Sequence, residues 1–285
     1  MHGCSIYKIF KKRLMKKRYL IILIFYSSIA TAQLSIESID LPKKIDETSG
    51  LEYFRGHFIT HNDSGGKSKL YSFTSEGDLI KSHNIKGAKN RDWEELTADN
   101  NYIYICDTGN NYATRKDLKI YKVDKDLILK DSILIRYKNQ KSFKRKSKNR
   151  YDAEAIASVD SILLLFSKDR KRLTTQVYSI PKEANNYVLS PIAEFKVDAL
   201  VTAADYDPIS KTLALTSYTY EGDQYLYRFL NFDIKKIKSL KFEKFIIPVK
   251  PAQIEAVKVE DSSTFWITSE DEGEGSPRLF KACIE

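Results

Sequence analysis

Glu94, Glu154 and Glu255 each open the same kind of short run: Glu94-Glu95-Leu96, Glu154-Ala155-Ile156 and Glu255-Ala256-Val257. Two related runs, Ser49-Gly50-Leu51 and Thr202-Ala203-Ala204, place a hydroxyl there instead. Further polar groups follow each run: Asn62 and Asp63; Asp107, Asn110 and Asn111; Lys168 and Asp169; Tyr218; Glu270 and Asp271. Carboxylates, side-chain amides and water are the ligands calcium prefers. Glutamates gathered at one place either take up protons or hold a cation. The expected metal set is therefore Glu94, Glu154 and Glu255, with Asn62, Asp63 and Asp107 completing the shell and Ca2+ as the cofactor. Ser49, Asn110, Asn111, Lys168, Thr202, Tyr218 and Glu270 are expected to line the same face. Two alternatives stay open: Lys168 or Arg170 neutralises the glutamates internally, or the acids are simply solvated.

Other site chemistries find little support. The mature histidines are His57, His61 and His83, and no Cys-His set has zinc-ligand spacing. His57 and His61 on one strand lie about 13 Å apart, too far to share an ion. There is no Gly-x-Ser-x-Gly elbow and no Gly-rich phosphate loop before a helix, which argues against serine nucleophiles and nucleotides. The loops His61 to Gly66, Asp107 to Asn111 and Glu270 to Gly275 combine turn chemistry with candidate ligands, and none matches the EF-hand pattern.

The elements that must position these groups are strands. After each opening run comes a stretch rich in β-formers: Phe58 to Thr60, Tyr102 to Ile105, Leu163 to Phe166, Leu213 to Thr216 and Phe265 to Thr268. A third stretch carries an aromatic at one fixed place: Tyr71, Tyr121, Tyr178, Tyr227 and Phe280. The run-to-aromatic distance is 22, 27, 24, 25 and 25 residues, and the runs recur at intervals of 45, 60, 48 and 53. A period of about 40 to 60 residues with three or four strands each marks propeller blades. The expected fold is an all-β, single β-propeller of five blades, six being the alternative. Its aromatics pack between neighbouring blades. A fourth strand per blade is read at Leu79 to Ile85, Ser132 to Tyr137, Ile192 to Val197 and Lys244 to Val249. The last repeat lacks one, so Leu34 to Asp40 is expected to close the ring as its outer strand. First-strand starts and second-strand exits then share one end of the central channel, where the acids meet.

The first 32 residues read as a signal peptide: Lys8 to Arg18 is cationic, Tyr19 to Ala30 apolar, and Ala30-Thr31-Ala32 a small-residue cleavage site. The expected domains are 1–32, signal peptide, and 33–285, propeller. Removing 1–32 takes away 7 basic and no acidic residue, so the formal charge falls from +9 to +2, with 40 basic residues against 38 acidic. The basic pI therefore belongs mostly to the leader and gives no reason to expect a nucleic-acid or membrane partner. Lys138 to Arg150 is the exception, with 7 basic residues and no acid; it reads as a mobile solvated insertion or a contact for a polyanion such as polysaccharide. Cys106 and Cys283 remain after cleavage, and whether they pair is left open. Export to the periplasm, cell envelope or medium is expected, as a monomer without a membrane span.

Glu47-Thr-Ser-Gly-Leu-Glu52, His61-Asn-Asp-Ser-Gly65 with Leu70-Tyr71, and Asp92-Trp-Glu-Glu-Leu96 with Tyr104-Ile-Cys-Asp107 resemble the SdiA-regulated family of exported β-propellers. They also resemble secreted propellers of Bacteroidetes. The resemblance covers most of residues 45–270 and implies an exported propeller without assigning a reaction. The layout is more distantly similar to gluconolactonase and regucalcin-like propellers, which have six blades and a channel metal; their ligand set does not map residue by residue. The expected function is an exported binding module whose acidic face recognises a ligand, protein or glycan through a cation. The alternative is a calcium-dependent esterase, lactonase or phosphoesterase using the same face, with one glutamate as general base. A purely structural interaction module is a third reading.

Overall fold

The computed structural model describes residues 33–249, 252–271 and 276–285. The expected signal peptide lies outside them, as do residues 272–275 of the Glu270 loop. Strand β1 (Leu34–Asp40) is followed by the first blade, β2 (Thr48–Phe54), β3 (His57–Asn62), β4 (Lys69–Phe73) and β5 (Leu79–Asn84). The second blade holds β6 (Trp93–Ala98), β7 (Tyr102–Asp107), β8 (Lys119–Asp124) and β9 (Leu129–Tyr137). The third holds β10 (Ala153–Val159), β11 (Ile162–Ser167), β12 (Thr174–Pro181) and, after β13 (Asn186–Leu189), β14 (Ala193–Lys196). The fourth is β15 (Leu200–Asp207), β16 (Thr212–Tyr218), β17 (Gln224–Phe229) and β18 (Glu243–Ile247). The fifth is β19 (Ile254–Val259), β20 (Thr264–Ser269) and β21 (Arg278–Ile284), completed by β1.

The chain is thus a five-bladed β-propeller, and β1 closes it by pairing antiparallel with β21 from Leu34↔Ile284 to Asp40↔Arg278. Ordinary strand pairing with a segment distant in sequence removes the edge that β21 would otherwise present. One element was not legible in the sequence: β13 leaves its own blade and pairs parallel with β9 as a fifth strand of the second blade.

The repeated opening run has a geometric meaning. In every blade the register between first and second strands shifts there: between Ser49 and Glu52, Trp93 and Glu95, Ala153 and Ala155, Val201 and Ala203, and Ile254 and Ala256. Glu94, Glu154, Thr202 and Glu255 are therefore the extra residues of β-bulges, which re-aim a side chain out of the ladder. Each of the five hydrophobic clusters spans two adjacent blades. The third-strand aromatics serve these seams: Tyr121, Tyr178, Tyr227 and Phe280 each sit in the cluster shared with the preceding blade, and Tyr71 packs against the cluster that joins the fifth blade to the first. Cys106 in β7 and Cys283 in β21 belong to different blades and are free thiols.

Because Phe280 is fully buried and Tyr71 only partly, Phe280→Ala is expected to cost about 3–5 kcal/mol in urea unfolding and Tyr71→Ala clearly less. Equal losses contradict the account of the aromatics as seam packing.

Candidate functional site

First-strand starts and second-strand exits do share one end of the ring, as the pairs Thr48↔Asn62, Trp93↔Asp107, Ala153↔Ser167, Leu200↔Tyr218 and Ile254↔Ser269 require. Glu94 is 94% buried there, with 6% of its surface exposed. One carboxylate oxygen each from Asp63, Asp92 and Glu94 lies within 4.8 Å of the others, and a second trio, Glu94, Asp152 and Glu154, shares Glu94 on the same terms. Gly109 makes the first trio possible. A Cβ on Gly109 would lie 1.9 Å from Glu94 Oε1 and 2.4 Å from Asp92 Oδ2, so any side chain there would displace both carboxylates.

The two trios differ in countercharge. Glu154 takes the Lys168 ammonium on Oε2 and Arg170 at 3.1 Å on Oε1, and Arg170 also bridges to Asp152 at 2.9 Å. Burial works against the Lys168 ammonium, but the Glu154 and Glu255 carboxylates outweigh it and hold its pKa well above the usual lysine value. Its charge also faces the Tyr218 ring, 4.7 Å from the centroid. Among the described residues, no Lys or Arg forms an ion pair with Asp63, Asp92 or Glu94. Burial, and then the Glu154 and Asp63 charges, push Glu94 well above the carboxylate range. Burial with Glu255 and Asp92 nearby lifts Asp63 to about 7. Burial also lifts Asp92 to about 6, although Arg115 acts against it. Glu270 is pushed to about 9 by burial and the neighbouring Glu255 and Asp63. Gln253 Nε2 donates to both Glu255 and Glu270, tying this side of the mouth together.

Several expected ligands are occupied elsewhere. Asp107 accepts from the Asp92 amide at 3.1 Å and pairs with the buried Arg115 at 2.9 Å; it braces the loop under Gly109. Asn62 donates its Nδ2 amide to Lys44 O and Asp46 Oδ1, while its Oδ1, the atom that would meet a cation, is buried without a hydrogen-bond partner. Ser49 and Thr202 donate to the carbonyls of Glu94 and Ile254 in the next blade, so these hydroxyls staple blades together. Asn110 links the Arg115 amide to Tyr151 O, and Asn111 accepts from Arg170. Asp92 and Asp152, which join the two trios, were not among the expected ligands, yet both precede a bulged glutamate by two positions, and side chains two apart share a face of a strand.

Deeper in the channel, Glu95 stands where the other blades carry Gly50, Ala155, Ala203 and Ala256. It is fully buried and crosses between blades, accepting from Leu51 and Leu96 on Oε1 and from Ala204 on Oε2, at 3.3, 2.9 and 3.3 Å. Burial raises its pKa well above the ordinary value. Gly50, at φ 75°, leaves the space; a Cβ there would meet Glu95 Oε1 at 2.7 Å. Toward the other ends of the inner strands, Lys258 Nζ lies 2.6 Å from Glu52 and 3.1 Å from Asp205. That end is compensated by an ammonium held between two carboxylates.

Neither family models nor curated proteins match the sequence. Solved structures do match in shape. The PQQ-bound aldose sugar dehydrogenase of Streptomyces coelicolor is similar at 11% identity, covering 89% of this chain and 99% of that one with a TM-score of 0.52. A glucose dehydrogenase follows at 8% identity, 87% and 98% coverage and TM-score 0.47. A protein of Bacteroides fragilis described as exported follows at 10%, 88% and 95%, and 0.43. The first likeness shows the propeller architecture, and identities this low show nothing finer.

The titrations at the mouth set a sign for stability. Unfolded Asp and Glu titrate near about 3.9 and 4.3, whereas Asp92, Asp63 and Glu270 titrate at about 6, 7 and 9 when folded. Between those limits the folded chain binds more protons, so stability falls as pH rises, by roughly 1.4 kcal/mol per pH unit for each proton of difference. This contribution is complete below about pH 4 and is lost through the three folded values in turn. With chelator present, the urea midpoint is expected to fall from pH 5 to pH 9, and Glu270→Gln to flatten the stretch between pH 7 and 9. A midpoint that rises over this range contradicts the protonated mouth.

Proposed function

We propose that this chain is a binding module whose mouth holds a divalent cation, calcium fitting best, between Asp63, Asp92 and Glu94, and that the cation's outer side receives a ligand through oxygen donors. The observation that carries the reading is the first trio: three converging carboxylates without an ion pair among the described residues, beside a glycine whose missing side chain leaves them room. An all-oxygen set with flexible spacing suits calcium better than zinc, which favours nitrogen and sulfur, or magnesium, which demands a stricter octahedron. Bound there, the cation would supply the positive charge that the clustered acids lack. Asp63, Asp92 and Glu94 would give up protons to receive it. Lys168 and Arg170 would keep Glu154 and Asp152 neutralised alongside, and Arg115 would keep Asp107 from competing.

The targeting features of the leader support an exported location, as does the resemblance of the short motifs to exported SdiA-regulated propellers. No helix among the described residues is long and apolar enough to cross a membrane.

Calcium in excess is expected to raise the melting temperature at pH 8 by several degrees over chelator, since a ligand at a hundred times its Kd adds about 2.7 kcal/mol. The rise should shrink at pH 5.5, where protons compete. Gly109→Ala, which retains every carboxylate but fills the gap, and Glu94→Gln are both expected to abolish it. Glu154→Gln, whose partner is Lys168, is expected to leave most of it. Absence of any shift at pH 8 overturns the metal reading.

A cation held there would also polarise an ester, lactone or phosphoester bound beside it, which makes the calcium-dependent hydrolase the second reading. Turnover of ester, lactone or phosphoester substrates that calcium stimulates, and that Asp63→Asn lowers at least a hundredfold, supports it. Inactivity across such a panel leaves the binding module.

A further inference from the structure

The connection from β9 to β10, with its run of cations, is packed rather than free. Its Gln140 side chain donates to Ala113 O at 2.8 Å and its Asn149 side chain to Asn111 O at 2.9 Å, both side chains more than nine-tenths buried. The Lys146 amide donates to Tyr112 O at 2.9 Å, and the Arg145 guanidinium stacks 3.3 Å from the Tyr112 ring centroid. The insertion so anchored walls a cavity of about 370 Å³ lined by Lys141, Lys144, Lys146, Lys148, Arg150 and Lys171. That size is in the range of small-ligand sites. Among the described residues no carboxylate pairs with the five lysines; Arg150 alone approaches one, Asp169, at 3.9 Å.

Asp169 gives the cavity its second chemical feature. It is 99% buried, with 1% of its surface exposed. Its Oδ1 accepts from the Lys171 and Arg172 amides at 2.9 and 3.0 Å, which fixes the carboxylate, while buried Oδ2 makes no hydrogen bond and has the Arg150 Nε 3.9 Å away, beyond hydrogen-bond reach. A buried acceptor without a donor is costly and calls for one. The half-buried Tyr151 ring forms another wall, held by its hydroxyl on Asn139 O at 2.9 Å.

We propose that this cavity binds an acidic saccharide, its uronate carboxylate or sulfate ester among the lysines, one of its hydroxyls donating to Asp169, and a sugar face against Tyr151. The combination sets the ligand class. Lysines alone would accept any polyanion, but a fixed carboxylate repels the hydroxyl-free phosphodiester backbone of DNA and welcomes a molecule that carries hydroxyls beside its anionic groups. Its lining shares no residue with the carboxylate trios at the mouth.

Calorimetry at low salt with trigalacturonate, a sulfated chondroitin disaccharide, neutral maltotriose, inorganic sulfate and a single-stranded DNA 12-mer tests this. One of the two acidic saccharides is expected to bind at least tenfold more tightly than the other three classes of probe, and which one binds identifies uronate or sulfate as the recognised group. Lys144→Glu with Lys148→Glu, both exposed, should weaken that binding at least tenfold at an unchanged melting temperature. Asp169→Asn, which keeps Oδ1, should weaken the saccharide but not inorganic sulfate. The proposal is overturned if neither acidic saccharide outbinds maltotriose, if DNA or free sulfate binds as well, or if the double variant binds like wild type.

Discussion

Carboxylates that a backbone forces together cannot all be ionised without a countercharge, and the mouth of this propeller is organised around that constraint. Three of the five inner strands bulge at a glutamate, and period-two alternation brings Asp92 and Asp152 in beside two of them. Among the described residues, Lys168 and Arg170 pair with Glu154 and Asp152, while Arg115 pairs with Asp107 and acts on Asp92 without an ion pair. Asp63, Asp92 and Glu94 are left with protons or an added cation as their means of neutralisation. The contrast with Lys258 between Glu52 and Asp205 shows that the same ring can compensate acids internally where it carries a lysine on an inner strand.

The architecture makes this crowding sustainable. Five cores lie between blades, each stapled by an aromatic from a third strand, and β1 binds the last blade to the chain's start. A closed ring fixes the distance between inner strands, so the acids have little freedom to spread. Hydroxyls of Ser49, Thr108 and Thr202 add hydrogen bonds from one blade to the backbone of the next. Inside the channel Glu95 is satisfied by backbone amides from three blades and fits because Gly50 has no side chain.

What the sequence made legible was whatever repeats. The opening runs, the fixed aromatics and the surplus strand at Leu34 to Asp40 recur or complete a recurrence, so blade number and closure followed from spacing. Repetition also placed Glu94, Glu154, Asp63 and Lys168 at equivalent starts and exits, which is why the sequence brings them to one face. Less visible was the division of labour among them. That Asp107 is spent on Arg115, and that the Asn62 Nδ2 is tied to Asp46, depends on loop paths without periodicity. Asp92 and Asp152 left a signal, the spacing Asp-x-Glu in two blades, that strand alternation would have exposed. Glu95 breaks the small-residue pattern of the other four runs, but nothing local to it says that it crosses the channel. The parallel strand β13 and the packed, cation-lined insertion depend on long-range pairing and on single buried amides, Gln140 and Asn149, that no local pattern announces.

The central claim is an exchange: the buried carboxylates at the mouth carry protons until a divalent cation replaces them. Counting the protons released when calcium binds tests this most directly, by titrating the protein near pH 7 in two buffers of different ionisation enthalpy. Saturable binding is predicted with a net release of about one to two protons, given Asp63 at about 7 and Glu94 held well above the carboxylate range, where ordinary carboxylates would have none to give. Calcium binding with no proton release, or no binding at all, contradicts it.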